Sequence, residues 1–286
     1  MSATVRQALA AARQRLEACG VEGAARDARL LLECAVDRAP AAALADPGYP
    51  LGPEENRRFQ SLVGRRADRE PMSQILGRKG FWSIVLEVDK DVLTPRPETE
   101  TLVEAALEAF PPGRAFRLAD LGTGSGAILL AILGERPFAQ GFGIDKSPAA
   151  ARRAARNAQA LGLAARSLFL CGDWAGALAD GLLDLAISNP PYVASGDIAG
   201  LPPEVRDYEP RVALDGGADG LAAYRRLAGE MLRVLKPGGV FVLEIDPFLE
   251  RSVLGLMDEA GAGGVVAKND LSGRPRAVVG LKKGLG

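Results

Sequence analysis

The segment Asp120-Leu121-Gly122-Thr123-Gly124-Ser125-Gly126 decides the fold of this 286-residue chain. It ends an apolar stretch, Arg117–Leu121, that predicts a strand, and it precedes Ala127–Leu133, which predicts a helix. Glycine at alternate positions allows a tight strand-to-helix turn and lets a ligand approach the backbone closely. The spacing differs from the G-x-G-x-x-G of dinucleotide-binding dehydrogenases, and the segment lacks the Lys-Ser/Thr of a phosphate-binding loop. A turn that binds no ligand is the alternative.

Strands and helices alternate on both sides of this segment. The predicted strands are Arg117–Leu121, Gly141–Asp145, Ser167–Cys171, Leu183–Ser188, Gly239–Ile245, Val265–Lys268 and Arg276–Leu281, and the predicted helices are Leu102–Ala109, Ala127–Leu133, Ala149–Leu161 and Leu221–Leu235. This alternation predicts an α/β fold with a mostly parallel, doubly wound sheet. Only a loop separates the last two strands, which predicts an antiparallel hairpin at the sheet edge.

The first 97 residues have a different pattern. Residues 1–70 are predicted to form a small helical bundle, with a capping box at Thr4 and Gln7. Phe81–Val88 alternates like a strand, Asp89–Asp91 predicts a turn, and an extended segment follows, so we interpret residues 71–97 as a β-hairpin linker. Residues 98–286 then form the α/β domain.

Two further strand ends carry side chains that suit a nucleoside. Asp145 ends the second strand, where a carboxylate can accept hydrogen bonds from both ribose hydroxyls, although it could instead cap the next helix. Asp173 and Trp174 follow the third strand and can bracket a purine ring, or can be a turn acid and a core indole. Together with the glycine segment they predict a nucleoside site without a phosphate reader, which matches S-adenosylmethionine better than NAD or ATP.

The sharpest motif is Asn189-Pro190-Pro191-Tyr192, directly after the strand Leu183–Ser188. Two prolines fix φ and remove two backbone donors, so the loop is rigid. The side-chain oxygen of Asn189 and the carbonyl of Pro190 can accept both hydrogens of a planar –NH2 group, on which Tyr192 can stack. The alternative is a proline turn with a surface tyrosine.

Methyl transfer to such a nitrogen depends on alignment. An amide or exocyclic amine is a weak nucleophile, and holding nitrogen, methyl carbon and sulfur in line can supply about 7–11 kcal/mol. No strong base is required, in keeping with a chain that contains no histidine. The lack of histidine also excludes Ser–His and Cys–His catalysis and His-ligated zinc.

Composition narrows the class further. The chain has 35 Lys+Arg and 36 Asp+Glu, without the basic excess usual in proteins that bind naked nucleic acid. The three cysteines, Cys19, Cys34 and Cys171, indicate neither a disulfide framework nor a metal cluster, and we expect buried thiols in a reducing compartment. No apolar run approaches the roughly 20 residues of a membrane helix. The Arg-containing start could be a transit peptide, but its helical pattern favours a folded domain and a cytoplasmic location.

Short segments spread along the chain carry a resemblance to a known family. They are Asp27-Ala28-Arg29-Leu30-Leu31-Leu32, Pro71 with Phe81-Trp82, Thr94-Pro95-Arg96-Pro97-Glu98-Thr99-Glu100, Gly122 to Gly126, Asp145, Trp174, Asn189 to Tyr192, Glu209-Pro210, Ala213-Leu214, Gly216-Gly217, Asp219-Gly220-Leu221, Tyr224-Arg225, Asp270-Leu271 and Gly273-Arg274. In these segments the chain resembles the bacterial release-factor glutamine methyltransferases, the PrmC/HemK family. It departs from the family at Glu244-Ile245-Asp246-Pro247, where a glycine more often follows Glu-Ile.

The resemblance implies a fold and a set of site residues. The fold is that of class I S-adenosylmethionine-dependent methyltransferases, a Rossmann-like doubly wound sheet with an antiparallel edge hairpin plus a small N-terminal helical bundle. The implied catalytic residues are Asn189, Pro190 and Tyr192; cofactor binding falls to Gly122, Thr123, Gly124, Ser125, Gly126, Asp145, Asp173, Trp174 and Asn189; substrate binding falls to Asn189, Pro190, Pro191, Tyr192, Arg96 and Glu98. No metal is implied.

The implied reaction moves a methyl group from S-adenosyl-L-methionine, leaving S-adenosyl-L-homocysteine, to the side-chain amide nitrogen of the glutamine in the Gly-Gly-Gln loop of peptide chain release factors. We expect release factors as partners, a monomer, no membrane association and no direct nucleic-acid binding, with residues 1–70 recognising the protein substrate. The first alternative is an adenine-N6 methyltransferase acting on DNA or RNA, which shares Asn-Pro-Pro-Tyr but would favour a basic target-recognition segment. The second is a catalytically silent binding protein on the same fold, against which the intact motifs argue.

Overall fold

The computed structural model describes residues 3–37 and 45–284. The chain divides into two compact units. Met1–Gly77 and Pro202–Tyr208 form one, here called the N-terminal unit, and Arg78–Leu201 and Glu209–Gly286 form the other, here called the sheet unit. The chain therefore adds a seven-residue segment to the N-terminal unit before it returns to the sheet unit.

Helices and strands of the described residues are numbered here in chain order. The helices are α1 Val5–Ala18, α2 Ala24–Ala35, α3 Pro53–Ala67, α4 Met72–Leu76, α5 Glu100–Ala109, α6 Ala127–Glu135, α7 Pro148–Ala160, α8 Pro203–Arg206, α9 Ala222–Val234 and α10 Glu250–Glu259. The strands are β1 Arg78–Phe81, β2 Ile84–Glu87, β3 Arg117–Leu121, β4 Gln140–Asp145, β5 Ser167–Cys171, β6 Leu183–Ser188, β7 Leu235–Glu244, β8 Ala262–Asn269 and β9 Pro275–Lys282.

The N-terminal unit is helical, as its sequence pattern predicts. The capping box is present at the start of α1, where the Thr4 hydroxyl accepts from the Gln7 N–H (3.3 Å) and the Gln7 side chain accepts from the Thr4 N–H (3.0 Å). Leu16, Leu31 and Phe59 are wholly buried between α1, α2 and α3. These apolar stripes hold the three longer helices together.

A cluster of charged side chains ties the segment Pro202–Tyr208 into the N-terminal unit. Both oxygens of Glu204 accept from the Arg69 guanidinium, at 2.7 Å each. Arg66 donates to Glu204 (3.1 Å) and to Asp27 (2.8 Å), and it is only 7% exposed. Burial by itself would raise the pKa of Glu204, but the hydrogen bonds from Arg69 and Arg66 outweigh it and lower that pKa.

The sheet unit confirms the doubly wound prediction. Its seven strands lie in the order β5-β4-β3-β6-β7-β9-β8. The first five are parallel to one another, and β9 and β8 add an antiparallel hairpin at the edge, with β9 antiparallel to β7. The chain places β4 and then β5 on one side of β3, and it then returns to place β6 on the other side of β3. This reversal creates a crevice at the carboxyl ends of β3 and β6, the position where such sheets bind ligands.

Apolar layers cover both faces of the sheet. Along β6, Leu185 and Ile187 pack into one core cluster while Ala186 packs into the other. Helix α6 is buried along the whole run Ala127–Leu133, which explains why its sequence is apolar on every side. Among the described residues, no helix is both long enough and apolar enough to cross a membrane.

The hairpin before the sheet differs from its prediction. Phe81–Val88 is not one strand, because β1 and β2 pair across a two-residue turn at Trp82 and Ser83. The predicted turn at Asp89–Asp91 is present, with the Val92 N–H donating to the Asp89 carbonyl at 3.4 Å, but it follows the hairpin and does not close it. Trp82 adopts a left-handed φ of +52°, and its N–H donates to the carboxylate of Glu100 at 2.7 Å. Two-residue hairpin turns need a positive φ and usually contain glycine or asparagine. This turn contains neither, so the sequence did not indicate it.

The expectation that the cysteines are buried is wrong, since all three are exposed. In α2 the buried stripe runs through Ala28, Leu31, Leu32 and Ala35, which turns Cys34 outward. Cys171 ends β5, an edge strand of the sheet. The helices α4, α8 and α10 were not predicted.

Candidate active site

The glycine segment forms a tight turn between β3 and α6. The backbone N–H groups of Gly122 and Thr123 both donate to the carbonyl of Ile144 on β4, at 2.8 and 3.0 Å. Gly122, Gly124 and Gly126 have φ values of +79°, +55° and +84°. Because side chains rarely adopt this region, the turn requires glycine at all three positions.

The side chains between these glycines face into the protein. The Thr123 hydroxyl donates to Asp120 Oδ2 at 2.7 Å, and Ser125 is 3% exposed. Asp120 is wholly buried, its Oδ1 has no partner among the described residues, and burial raises its pKa to about 7. At Gly126 an added Cβ would lie 3.2 Å from the Cβ of Ala154, so this glycine lets α6 pack closely on α7.

Asn157 on α7 supports the same turn from below. Its Nδ2 donates to the carbonyls of Ser125 (2.8 Å) and Glu87 (3.1 Å), and its Oδ1 accepts from the Glu87 N–H (2.8 Å). The residue is 1% exposed. One buried amide therefore joins the glycine turn to β2, and no sequence signal distinguished it from other helix residues.

Asp145 lies at the end of β4 and contacts the glycine turn directly. Its Oδ2 accepts from the Gly124 N–H (2.9 Å), and its Oδ1 accepts from the Ser147 N–H (2.8 Å). The side-chain cap of α7 comes from Ser147, which accepts from the Ala150 N–H. Burial raises the pKa of Asp145. Each carboxylate oxygen keeps a lone pair, so Asp145 can still accept bonds from ligand hydroxyls.

Asp173 and Trp174 follow β5 and reach the same place. Trp174 has a left-handed φ of +51°, and its ring atom Cζ3 would lie 3.4 Å from a Cβ added to Gly122. Asp173 accepts from Arg226 at 2.7 Å, and Arg226 also donates to Glu230 at 3.0 Å. The indole thus packs against the glycine turn, while the acid is held at the surface by a cation.

These strand ends surround a cleft of about 290 Å³. The predicted site residues that line it are Gly122, Gly124, Asp145, Asp173, Trp174, Asn189 and Pro191. The sequence analysis did not assign a site role to the lining residues Asp91, Val92, Leu93, Val212, Ala213 and Asp215. A Cβ added to Gly124 would meet nothing within 4 Å, so the backbone is open to the cleft at that point. The volume is at the lower end of the roughly 300–1,000 Å³ usual for small-molecule sites.

Asn189 and the two prolines leave β6 at the rim of this cleft. The preceding residue, Ser188, donates its hydroxyl to the carbonyl of Leu121 at 2.5 Å, which joins the ends of β6 and β3. Asn189 Nδ2 donates to Thr99 Oγ1 at 3.3 Å. Tyr192 is partly buried against the sheet core, and burial raises its pKa, so its hydroxyl stays neutral.

A glycine-rich segment supports the backbone of Tyr192 and Val193. The Val193 N–H donates to the carbonyl of Leu214 (3.0 Å), and its own carbonyl accepts from the Gly216 N–H (2.8 Å). A Cβ on Gly216 would lie 2.8 Å from Tyr192 Cα, and one on Gly220 would lie 2.4 Å from the Tyr192 carbonyl oxygen. Glycine is therefore required at both positions for the segment to pack on the loop.

Not every predicted site residue lines the cleft. Thr123, Ser125, Gly126, Pro190 and Tyr192 belong to the two loops that border it but are not part of its lining, and neither Arg96 nor Glu98 lines it. Arg96 donates to Glu209 at 2.6 Å, and Glu209 also accepts from the Thr94 N–H at 3.4 Å. Burial raises the pKa of Glu209, and Arg96 opposes that rise. Glu98 is exposed. Their roles in substrate binding stay predictions.

Comparison with known proteins gives two family-model matches and a set of close relatives. Residues 7–77 match the model described as PrmC N-terminal domain, and residues 114–253 match the model described as Methyltransferase domain. The chain is 50% identical over 285 residues to the release factor glutamine methyltransferase of Caulobacter vibrioides, covering 100% of this chain and 99% of that one. It is 48% identical to the protein of the same name from Rhodospirillum rubrum, covering 95% of this chain and 83% of the relative.

Solved structures resemble the chain in fold. A 16S rRNA methyltransferase from T. thermophilus, in complex with AdoMet and guanosine, has a TM-score of 0.52 at 21% identity and covers 72% of this chain and 50% of its own. A methyltransferase from Pyrococcus furiosus has a TM-score of 0.51 at 17% identity, covering 80% of this chain and 98% of its own. At these identities the likeness shows the fold alone.

Proposed function

This chain belongs to the family of release factor glutamine methyltransferases, and we propose that it methylates the side-chain amide nitrogen of the glutamine in the Gly-Gly-Gln loop of peptide chain release factors. The methyl donor is S-adenosyl-L-methionine. The observation that carries the proposal is the position of Asn189 and Pro191, which belong to a rigid loop and line the same cleft as the glycine turn and Asp145.

The residues around the cleft fit the methyl donor. Gly124 leaves the backbone open to the cleft, and Asp145 keeps acceptor capacity for the ribose hydroxyls. Trp174 gives an apolar surface for the purine ring. When bound, S-adenosyl-L-methionine supplies a methyl group that its sulfonium centre already activates. Thr123, Ser125 and Gly126 support the glycine turn, because they face the interior of the protein.

Asn189 and Pro190 position the glutamine nitrogen. The Asn189 side-chain oxygen and the Pro190 carbonyl accept its two hydrogens, and Tyr192 stacks on the planar amide. As the nitrogen gains the methyl group it develops positive charge, which these two acceptors stabilise until the nitrogen releases one proton to solvent water. Holding nitrogen, methyl carbon and sulfur in line supplies most of the rate enhancement, and the reaction needs no strong base.

The helical N-terminal unit is proposed to recognise the body of the release factor. A glutamine side chain offers few contacts for selection, and a second contact surface raises the effective concentration of substrate at the cleft. Since release factors act on ribosomes, we place the reaction in the cytoplasm. The monomeric state and the lack of direct nucleic-acid binding stay predictions.

A charge reversal on α3 in the full chain tests the recognition role. Arg57 is exposed, and among the described residues its ion pair is with exposed Glu54 in the same helix, so Arg57→Glu leaves the core intact. We expect a higher KM for the release factor, with an unchanged kcat and unchanged cofactor affinity. An unchanged KM after reversal of the exposed charges along α3 would assign recognition to another surface.

The proposed activity itself is tested by methyl transfer from labelled cofactor. The purified chain is offered a release factor, the same factor with its Gly-Gly-Gln glutamine replaced by asparagine, and adenine-containing DNA and RNA. We expect label only in the unaltered release factor. Label in the nucleic acids would favour the adenine-N6 alternative, and no label in any substrate despite measurable cofactor binding would favour the silent binding protein.

A further inference from the structure

Asn189 is one end of a hydrogen-bonded chain that runs away from the cleft. Its Nδ2 donates to the Thr99 hydroxyl oxygen at 3.3 Å, and the Thr99 hydroxyl donates to the side chain of Glu244. Thr99 is 3% exposed and Glu244 is 1% exposed. The chain therefore lies inside the sheet unit.

The sheet register places the two ends of this chain side by side. Ser188 on β6 is aligned with Leu243 on β7, so the next residues, Asn189 and Glu244, leave neighbouring parallel strands at the same level. The backbone of Glu244 is held on both sides, since it pairs with Ala277 on β9 and its carbonyl accepts from the Tyr224 hydroxyl at 2.8 Å. The carboxyl is thus a fixed point next to the catalytic loop.

The direction of the hydrogen bonds decides which way the Asn189 amide points. The ionised carboxylate of Glu244 can only accept, so in that state the single hydroxyl proton of Thr99 is committed to Glu244. Thr99 can then offer only a lone pair to Asn189, and only the –NH2 half of the Asn189 amide can donate to it. The amide oxygen of Asn189 is left as the group that can turn towards the substrate.

We propose that Thr99 and Glu244 are positioning residues that fix the Asn189 amide with its oxygen facing the substrate glutamine. This inference rests on the proposed function, because the oxygen is needed as an acceptor for a substrate –NH2 group. The two halves of an amide have nearly the same shape, so packing alone does not select one. A reversed amide would set –NH2 against –NH2, with no acceptor for the substrate hydrogen.

A buried carboxyl at this place has no other evident role in the fold. Glu244 Oε2 has no hydrogen-bond partner among the described residues, and a buried polar atom left in this way costs free energy. The presence of this buried carboxyl is explained if the second oxygen of Glu244 is required to orient the Thr99 hydroxyl.

The experiment compares Thr99→Val with Thr99→Ser in the full chain. Valine keeps the shape of threonine and removes the hydroxyl, whereas serine keeps the hydroxyl. Thr101→Val is the matched control, because Thr101 is a buried threonine two residues away that does not line the cleft. For each variant, kcat and KM are measured with the release factor, and the dissociation constant of S-adenosyl-L-methionine is measured by calorimetry.

We expect Thr99→Val to lower kcat roughly 10- to 100-fold, the scale of a misaligned catalytic group. The KM and the cofactor dissociation constant should change little, and Thr99→Ser and Thr101→Val should keep a kcat close to wild type. A wild-type kcat for Thr99→Val, or an equal loss in Thr99→Ser, would overturn the proposal.

A second measurement needs no enzymatic activity. In the wild-type chain with 15N-labelled asparagine, the Nδ2 protons of Asn189 should show a nuclear Overhauser effect to the Thr99 methyl group. Its absence would mean that the amide is reversed, and would overturn the proposal. If the wild-type chain fails to methylate a release factor, the proposed function fails, while this measurement still decides the orientation of Asn189.

Discussion

Replacing Gly220 with alanine should disable catalysis while leaving the cofactor cleft intact. Gly220 has a φ of +75°, and a Cβ at this position would lie 2.4 Å from the carbonyl oxygen of Tyr192. Real Cβ contacts essentially never fall below 3.0 Å, so the catalytic loop or the segment behind it must move by at least the difference. The movement acts on the backbone three residues after Asn189.

The loss of stability in Gly220→Ala has two parts, backbone strain and overpacking, and substitutions at other glycines separate them. Gly238 has the same φ of +75° but open space around it, so Gly238→Ala should show only the backbone strain, about 1–2 kcal/mol. Overpacking at Gly220 adds about 1–3 kcal/mol to that cost. Gly229 lies exposed inside α9 with no such φ, so Gly229→Ala should stabilise the chain by about 0.5–1 kcal/mol.

The assay combines urea unfolding with kinetics on a release factor. Because a misplacement near 1 Å can cost about 100-fold in rate, we expect Gly220→Ala to lose kcat on that scale. Gly238→Ala should keep its kcat, and all three variants should bind cofactor within a few-fold of wild type. Equal kcat values for Gly220→Ala and Gly238→Ala would refute the role of this glycine in placing the loop.

Three further predictions concern single side chains of the sheet unit. Asp145→Ala should weaken cofactor binding by about 1.5–3 kcal/mol, the value of a lost charge-assisted hydrogen bond, and unchanged affinity in calorimetry would reduce Asp145 to a structural support of the glycine turn. Asn157→Leu removes three buried hydrogen bonds and should lower the free energy of unfolding by about 3 kcal/mol, which an unchanged urea midpoint would contradict. Burial raises the pKa of Glu244 to about 7 from its ordinary value of 4.5. Between these two pH values the folded chain keeps the proton of Glu244 and the unfolded chain releases it. The free energy of unfolding should therefore fall by about 3 kcal/mol as the pH rises from 4.5 to 7. Glu244→Gln should remove the part of this pH dependence that comes from Glu244 and leave the part that comes from Asp120, whose pKa is also raised to about 7. Identical pH profiles of stability for the wild-type chain and Glu244→Gln would contradict this prediction.

The parts of the fold that could be predicted are those written in local patterns. The strands Arg117–Leu121, Ser167–Cys171 and Leu183–Ser188 have the predicted bounds, because each is an apolar run that ends in a turn signal. The glycine turn and Asp145 could be paired in advance, since parallel strands end at one edge of the sheet. Local chemistry thus located the cleft residues at the strand ends, which are a minority of the residues that line the cleft.

The features that could not be predicted depend on contacts between distant residues. The hairpin turn at Trp82 takes a left-handed conformation without glycine, and the Glu100 carboxylate 18 residues away accepts from it. Thr99 and Glu244 lie 145 residues apart and meet because α5, the helix that follows Thr99, packs against β7. The glycines behind Tyr192 could be matched to the family pattern, but their reason is a close backbone approach that no sequence displays.

The most direct test of the account is to locate the methyl group by mass spectrometry. A release factor is incubated with the wild-type chain and S-adenosyl-L-methionine, digested and fragmented, with the Asn189→Ala variant in parallel. We expect one added methyl group on the side-chain nitrogen of the Gly-Gly-Gln glutamine, and none with Asn189→Ala although that variant still binds cofactor. A methyl group on any other residue, or equal methylation by the Asn189→Ala variant, would contradict it.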